Sequence, residues 1–470
     1  MVTDPASAPV AATGPATGPA TGPATGPATG PHFRHDEEGT PAAAWSRALA
    51  DHAMPDLDLA DLDTAGLGRL VVVGAHPDDE TLGAGGLVHL AGRVGWDVLV
   101  VSATAGEGSH PVSPTHDPGA LATRRRGELE QAAALLAPRA EVVCLGHPDG
   151  GLADLEEALV AAIVDAVGDA GERTLLAAPW RHDGHPDHEA VGRAAAVAAR
   201  RTDARLVEYP VWMWHWGAAQ DVPWPDARGV RLDAGAREAK RAAVAAHASQ
   251  VAPLSDQPGD EVLLGPSLLA HFDRDVELVL ESAAPAGDDA LDRVHRDRDD
   301  PWDVDGWYER RKRAITLASL PRERYGHVLE VGCSVGALAV DLAARCDDLL
   351  ALDSSEAAVE AARTRLAGAD HVVVRRAEVP AQWPEGRFDL VSVSEVGYFL
   401  SPRALGELVS RAWESLAPEG HLLLCHWRHD LVGWPLDGPA VHDAFLVNGA
   451  QLLAEHHDPD FVLHVLGRAS

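Results

Sequence analysis

Two clusters of histidine and aspartate residues have the types and spacing of metal ligands. The first is His76-Pro77-Asp78-Asp79-Glu80, and the second, further along the chain, is His185-Pro186-Asp187-His188. Imidazole and carboxylate ligands suit Zn²⁺, and a catalytic zinc site combines three protein ligands with an open position for water. Such a metal lowers the pKa of the water to about 7, and a nearby carboxylate then takes its proton during attack on a carbonyl. The two clusters therefore predict a metal-dependent hydrolase.

Both clusters follow segments that are predicted to be buried strands. Apolar runs predict strands over residues 70–75, 97–102, 140–145, 174–178 and 205–209. Helical spacing predicts helices over residues 122–136, 153–167 and 188–200. This alternation predicts a doubly wound α/β sheet, in which both clusters lie at the carboxyl edge where ligands bind. A chain with 24 histidines produces single His/Asp clusters by chance, but two clusters at strand ends favour a metal site.

A glycine turn later in the chain is the second candidate site. A predicted strand over residues 328–331 runs into Gly332-Cys333-Ser334-Val335-Gly336, and Asp353 ends the next predicted strand. The turn allows close approach of the backbone to a ligand, and Asp353 can accept both ribose hydroxyls of an adenosine group. The spacing suits the Gly-x-Gly-x-Gly loop of S-adenosylmethionine enzymes with serine at the middle position. A plain strand-to-helix turn is the alternative. Further strands are predicted over residues 349–352, 371–374, 388–393 and 421–425.

The pattern predicts two doubly wound, Rossmann-like parallel-sheet α/β domains, because 470 residues exceed a single core. We expect a disordered tail of Ala-Thr-Gly-Pro repeats over residues 1–40, a first domain over 41–281, a linker over 282–302 and a second domain over 303–470.

Charge and composition exclude some partners. The formal charge of −33 disfavours nucleic acid, and no apolar run approaches the ~20 residues of a membrane helix. The start of the chain lacks the features of a secretory signal, so we expect a cytoplasmic protein with a small-molecule substrate. The oligomeric state stays open.

The first domain resembles the PIG-L/LmbE-like family of zinc-dependent N-deacetylases from about residue 70 to 280. The resemblance rests on both His/Asp clusters and on Thr104-Ala105-Gly106-Glu107, Arg125-Arg126-Gly127-Glu128-Leu129, Asp149-Gly150 and His247-Ala248-Ser249-Gln250. It implies zinc ligands at His76, Asp79 and His188, and a general base at Asp78. It also implies that His185 stabilises or protonates the tetrahedral intermediate and is held in its tautomer by Asp187. The substrate contacts implied are Glu107, Arg125 and Asp149. Asp183 stands where some members have tyrosine.

The second domain resembles class I methyltransferases, most closely the NodS-like N-methyltransferases that act on a freed amino group of a chitooligosaccharide. The resemblance rests on Asp300-Pro301-Trp302, residues 308–312, the glycine turn, residues 388–391 and 394–398, and Gly420-His421-Leu422. It implies S-adenosylmethionine as cofactor. The cofactor-site residues implied are Glu330, Gly332, Gly336, Asp353, Glu378 and Glu395. Of these, Glu395 lies with Tyr398 where a methyl acceptor would bind.

The fusion predicts a bifunctional enzyme that removes an N-acetyl group from an amino sugar or glycoconjugate and transfers a methyl group, with the freed amine as one possible acceptor. Two alternatives stay open. The domains could act on unrelated small metabolites, with O- or N-methylation, or the second domain could bind S-adenosylmethionine without turnover, because Ser334 replaces a glycine.

Overall fold

The computed structural model describes residues 39–281, 300, 302–429, 431–446 and 450–469. Most of the predicted tail and linker, residues 1–38, 282–299 and 301, therefore lies outside the described residues. At the end of the predicted tail, the backbone N–H of Thr40 donates to the carbonyl of His215 at 2.7 Å.

The first sheet contains seven strands in the order β3-β2-β1-β4-β5-β7-β6. Its strands are β1 (Arg69–Gly74), β2 (Asp97–Thr104), β3 (Glu141–His147), β4 (Thr174–Pro179), β5 (Arg205–Tyr209), β6 (Ala227–Arg231) and β7 (Val276–Leu280). The α-helices of this part are α1 (Ala42–Asp51), α2 (Leu59–Thr64), α3 (Asp79–Val94), α4 (Pro118–Leu136), α5 (Glu156–Val167), α6 (Pro186–Thr202), α7 (Met213–Trp216), α8 (Ala234–Ala246), α9 (Ala248–Val251) and α10 (Pro266–Leu269).

The second sheet also contains seven strands, in the order β10-β9-β8-β11-β12-β14-β13. Its strands are β8 (Tyr325–Val331), β9 (Cys346–Asp353), β10 (Val372–Arg376), β11 (Phe388–Ser394), β12 (Leu416–Trp427), β13 (Ala450–His457) and β14 (Phe461–Arg468). Its α-helices are α11 (Trp307–Ser319), α12 (Ala337–Ala343), α13 (Glu356–Arg365), α14 (Pro402–Ser415) and α15 (Gly438–Phe445).

Five neighbouring strands of each sheet are parallel, as the sequence predicts, and the remaining two form an antiparallel edge that the sequence analysis missed. In the first sheet β7 pairs antiparallel with β5 and β6. In the second sheet β14 pairs antiparallel with β12 and β13. The sheets are therefore mixed but parallel-dominated, and the α/β class is confirmed.

Each sheet buries apolar residues on both faces, which is why its central strands are almost continuously hydrophobic. In β1, Val72 belongs to the core on one face, whereas Val71 and Val73 belong to the core on the other. Val328 and Leu329 of β8 divide in the same way. Both cores fix the register of the strands, so the loops at the carboxyl edges are held in place. Among the described residues, no helix has the length and apolar content needed to span a bilayer.

Candidate functional site

The first cluster occupies the turn between β1 and α3. Asp79 is the first residue of α3, and its Oδ2 accepts a hydrogen bond from the backbone N–H of His76 at 2.8 Å. Asp78, just before the helix, has a φ of 153°, a conformation that costs a non-glycine residue energy and is typical of functional sites. The turn therefore orients the Asp79 carboxylate and presents three acidic side chains at the edge of the sheet.

The second cluster lies between β4 and α6, directly beside the first strand in the sheet. His188 is in the first turn of α6, and its Nε2 lies 3.2 Å from Oδ1 of Asp79. The Nδ1 atom of His188 contacts Oδ2 of Asp183 at 2.8 Å. This is the arrangement of a metal-binding imidazole whose other nitrogen is held by a carboxylate. The switch point between β1 and β4 thus brings the two clusters together.

These donors fit a divalent metal. Ligand atoms of His76, His185 and His188 all lie within 4.8 Å of one another, and Nδ1 of His76 is 3.5 Å from Oδ2 of Asp79. The buried Nε2 of His188 makes no hydrogen bond. Burial alone would lower the pKa of His188, but the carboxylates of Asp79 and Asp183 raise this pKa to about 9. A field that holds a proton on a buried imidazole also favours a cation between these side chains.

Two further carboxylates contact Nε2 of His76. Its Nε2 lies 3.1 Å from Oδ1 of Asp149 and 3.3 Å from Oδ2 of Asp187. The Asp187 carboxylate also accepts the backbone N–H groups of Gly150 and Leu152. The structure thus places both Asp187 and Asp149 beside His76. The sequence predicted instead that Asp187 lies beside His185 and that Asp149 contacts the sugar.

The tautomer of His185 is set by the backbone. Nδ1 of His185 accepts the N–H of Asp187 at 3.2 Å, so the ring proton of a neutral His185 resides on Nε2. Burial and the neighbouring imidazoles of His188 and His76 lower the pKa of His185 to about 3, so the ring stays neutral. A neutral imidazole with a proton on Nε2 can donate a hydrogen bond to a developing oxyanion.

Asp78 is clamped by Arg125. Nη2 of Arg125 donates to Oδ2 of Asp78 at 3.1 Å and to the carbonyl of Pro77, and its Nη1 donates to the carbonyl of Gly106. Burial raises the pKa of Asp78 to about 6, although the Arg125 charge opposes this rise. A carboxyl group with this pKa is suited to accept a proton near neutral pH. Arg125 is buried and makes these contacts within the protein, so it positions the proposed base.

Glu107 lies next to Asp149, on the loop after β2. Its Oε1 accepts the backbone N–H of Asp149 at 3.0 Å, whereas its Oε2 is buried without a partner. An unpaired buried carboxylate oxygen next to a catalytic edge is a candidate contact for a substrate hydroxyl. The His247 to Gln250 segment packs beside the first cluster, where Nε2 of His247 lies 3.1 Å from Oγ1 of Thr81 and 3.9 Å from Oε1 of Glu80. Ser249 donates to Glu128 of α4 through both its N–H and its hydroxyl.

The glycine turn of the second sheet follows β8. Gly332 and Gly336 have φ values of 76° and 80°, and Ser334, at the position of the replaced glycine, has a φ of 48°. The backbone N–H of Ser334 donates to Oδ2 of Asp353 at 2.8 Å. Glu330 is buried, and its Oε2 has no hydrogen-bond partner. The cation and hydroxyls of S-adenosylmethionine are complementary to these carboxylates, so the residues fit the cofactor.

Glu378 lies on the exposed turn after β10, next to Ala377, whose N–H donates to the carbonyl of Asp353. The turn is therefore fixed to the strand that ends in Asp353. This places the Glu378 backbone on the same side of the sheet as the glycine turn.

Glu395 forms a polar cluster after β11. Its Oε1 accepts Nζ of Lys312 at 2.7 Å, and its Oε2 accepts the Tyr398 hydroxyl and the N–H of Trp427. Burial opposes ionisation, but the Lys312 ammonium holds the pKa of Glu395 below its ordinary value. Lys312 was not predicted to be a partner of Glu395, although it is one of only two lysines in the chain. An ionised carboxylate with one free acceptor position results.

A chain of buried histidines contacts the turn that carries this cluster. Nε2 of His426 accepts the N–H of Gly397, and its Nδ1 contacts Nε2 of His442 at 3.1 Å. The Nδ1 atom of His442 then contacts Nδ1 of His464 at 3.0 Å. Burial lowers the pKa of His426 to about 4, so this chain of rings is neutral. It fixes the turn that carries Tyr398.

Comparisons with known proteins divide the chain in the same way. Residues 71–199 match the PIG-L family model, described as GlcNAc-PI de-N-acetylase, and residues 284–432 match the model of nodulation protein S (NodS). The chain is 30% identical to 1D-myo-inositol 2-acetamido-2-deoxy-alpha-D-glucopyranoside deacetylase of Mycobacterium sp. (strain KMS) over 273 residues, which are 47% of this chain and 86% of that protein. The chain therefore belongs to the PIG-L family of de-N-acetylases, and the NodS model matches the part of the chain that follows the PIG-L match.

The second half has relatives of its own. It is 36% identical to nodulation protein S of Rhizobium tropici over 128 residues, 27% of this chain. The chain spans 54% of the length of that relative. A solved structure described as a putative methyltransferase from Pseudomonas syringae is 47% identical to the matched part of this chain. The match covers 35% of this chain and 100% of that protein, with a TM-score of 0.32.

Proposed function

We propose that the first domain hydrolyses the N-acetyl group of an amino sugar or glycoconjugate in a zinc-dependent reaction. The observation that carries this proposal is the meeting of His76, Asp79 and His188 beside Asp78, a buried carboxyl group with a pKa of about 6. A Zn²⁺ ion held by the first three residues supplies Lewis acidity to water and to the acyl carbonyl. The name of the mycobacterial relative, a deacetylase of an acetamido sugar, supports the substrate class.

The residues of the chain then have separate roles. Asp78 takes a proton from water while the water oxygen attacks the amide carbon. The Nε2–H group of His185 donates to the carbonyl oxygen as its charge develops. The C–N bond breaks, the proton passes to the leaving nitrogen, and the products are acetate and a free amine. Asp149 and Asp187 hold His76, whereas Asp183 holds His188.

We further propose that the second domain transfers a methyl group from S-adenosylmethionine to an amine, and that the amine is the one the first domain frees. S-adenosylmethionine supplies an electrophilic methyl group on a sulfonium. Glu330 and Asp353 would bind the cofactor around the glycine turn, and the ionised Glu395 would accept a hydrogen bond from the amine and orient its lone pair. The support for this order is chemical, since hydrolysis of an N-acyl group exposes a nucleophilic nitrogen.

The test uses the purified full chain with a panel of N-acetylglucosamine glycosides, Zn²⁺ and methyl-labelled S-adenosylmethionine, followed by mass spectrometry. We expect acetate release, then label on the freed nitrogen. A parallel reaction receives the free amine directly. If the amine forms but stays unlabelled in both reactions, sequential N-methylation is wrong. Calorimetric binding of S-adenosylhomocysteine without any methyl transfer would instead identify a cofactor-binding module.

A further inference from the structure

The last turn of α6 contacts the second domain. Nη1 of Arg201 donates to the carbonyl of Gly433 at 2.7 Å, and the guanidinium carbon lies 3.8 Å from the centre of the Trp434 ring. Arg201 is 9% exposed. A desolvated guanidinium stacked on tryptophan and hydrogen-bonded to a carbonyl is a stronger contact than an exposed ion pair. This contact is therefore specific in both position and orientation.

Asp203, just after α6, makes a second contact with the same domain. It has a φ of 61° and its carboxylate accepts the Ser401 hydroxyl at 2.8 Å and the backbone N–H of Arg403 at 2.9 Å. These groups form the amino terminus of α14, a helix of 14 residues whose positive dipole end favours an anion. One domain thus supplies a capping carboxylate to a helix of the other.

Both contacts lead to the proposed methyl-acceptor site. The Trp434 ring packs against Phe399 with centroids 5.0 Å apart, and Phe399 packs against Tyr398 at 4.7 Å. The Tyr398 hydroxyl donates to Glu395. Ser401, which accepts from Ala404 and donates to Asp203, follows the same turn. The turn that carries Tyr398 is therefore held by the first domain on its outer side and by the histidine chain on its inner side.

The topology places this contact away from the deacetylase chemistry. His188 lies in the first turn of α6 at the carboxyl edge of the first sheet. Arg201 lies in the last turn of α6 at the amino edge, thirteen residues or about 20 Å further along the helix axis. A cavity of about 770 Å³ beside the contact is lined by Asp203 and Arg403 and by none of the proposed site residues. The contact between the domains therefore lies apart from the proposed deacetylase site.

We propose that the deacetylase domain is a structural part of the methyl-acceptor site, in which Arg201 and Asp203 are positioning residues for the turn that carries Tyr398. This inference rests on the proposed methyl transfer for its functional consequence. The fusion thus contributes to the shape of the second site.

The test compares Arg201→Ala and Asp203→Asn with Arg193→Ala in the full chain. Arg193 is on the same helix, but its ion pairs with Glu156 and Glu189 lie within the first domain. With the free amine supplied directly, we expect the acceptor KM to rise roughly tenfold in the first two variants, because a displaced turn misorients the acceptor. S-adenosylhomocysteine binding and deacetylation should not change, and Arg201→Lys should recover part of the loss.

Hydrogen exchange provides a second readout that needs no turnover. In Arg201→Ala, amides of residues 395–403 should exchange faster than in the unmodified protein and in Arg193→Ala. Unchanged exchange would refute the positional role whatever the activities are. Faster exchange in Arg201→Ala, together with no methyl transfer by the unmodified protein, would support the contact between the domains but refute the proposed reaction. Loss of S-adenosylhomocysteine binding together with the KM effect would show general destabilisation and overturn the inference.

Discussion

The two sheets have the same strand order, with the first and fourth strands of each at the centre, yet they hold different chemistry at that point. In the first sheet the loops after these strands carry histidines and aspartates that face one another. In the second sheet they carry a glycine turn and the Glu395 cluster. The shared fold therefore determines where a ligand binds, and the loop residues determine which ligand it is.

The two lysines illustrate the same difference. Lys240 is buried behind the first site, where its Nζ lies 2.6 Å from Glu277 and donates to the carbonyl of Leu82 in α3. Lys312 makes an equivalent pair with Glu395 at 2.7 Å, but inside the second site. One buried ion pair fastens helices, whereas the other sets the ionisation of a residue proposed to meet the substrate.

The largest expected effect is on deacetylation, from a substitution that removes the proposed proton acceptor of the first site and leaves the second site unchanged. Asp78→Asn should lower deacetylation by roughly 10²–10⁴-fold, because an amide cannot accept the proton of water. Zinc content and methyl transfer to a supplied amine should not change. The measurement is kcat for acetate release, with the exposed Asp154→Asn as control. Full hydrolysis by a zinc-loaded Asp78→Asn protein would disprove the base assignment.

A smaller effect should come from the carboxylate behind His188. Asp183→Asn should lower zinc affinity by about 10–100-fold, since Asp183 holds Nδ1 of this proposed ligand. Competition with a chromogenic chelator measures this affinity, and thermal unfolding of the zinc-free proteins checks that the fold survives. The exposed neighbour variant His182→Ala should bind zinc normally. Equal affinities in both variants of a folded protein would remove Asp183 from the site.

Asp183 also shows where prediction from sequence ends. The apolar runs predicted the central strands well, and the observed β5 matches the predicted residues 205–209. Both His/Asp clusters were visible because they follow strands directly. The role of Asp183 was not visible, because it depends on the loop after β5, whose N–H groups at Val211, Trp212 and Met213 fix its carboxylate. Sequence spacing does not show which loops meet across a sheet.

The antiparallel edges and the contact between the domains were missed for a related reason. The strands β6 and β13 are short or partly exposed, and their apolar residues do not form the continuous runs that mark a central strand. The strands β7 and β14 are buried and apolar, and they were missed although their runs carry the signal of a strand. The direction in which these strands pair has no local signal. Arg201 has the type expected at the carboxyl end of any surface helix. Asp203 is of a type that tolerates the left-handed conformation after such an end. Only the fold shows that Arg201 stacks on Trp434, so polar residues at such a contact carry no local signal.

The next prediction concerns the second site alone. A Cβ at Gly332 would lie 1.9 Å from Cγ2 of Val396, and the φ of 76° is unfavourable for alanine by about 1–2 kcal/mol. Gly332→Ala should therefore weaken S-adenosylhomocysteine binding by roughly tenfold in calorimetry and leave deacetylation intact. In Gly406→Ala, where no atom meets the new Cβ, binding should be unchanged. Equal binding by the two variants would exclude the turn from the cofactor site.

The smallest expected effect is the uptake or release of a single proton by Glu330. Burial and the Asp353 charge raise the pKa of Glu330 from 4.5 to about 8. Between these values the folded domain binds more protons than the unfolded chain, so the free energy of unfolding should fall as pH rises from about 4.5 to 8 and then level off. Glu330→Gln should remove this contribution and leave that of Asp78, whose pKa is also raised.

An ammonium group bound beside Glu330 would favour the ionised form of this residue. Binding of S-adenosylhomocysteine, which keeps the amino-acid ammonium of the cofactor, should therefore release up to about one proton at pH 7. Calorimetry of S-adenosylhomocysteine binding in two buffers with different ionisation enthalpies measures this number. Glu330→Gln should release none. The proposed zinc site provides the contrast, because there imidazoles release protons to solvent when a metal binds, whereas here one carboxyl group releases its proton to solvent when an organic cation binds beside it. Heats that do not depend on the buffer would show that Glu330 does not respond to the cofactor.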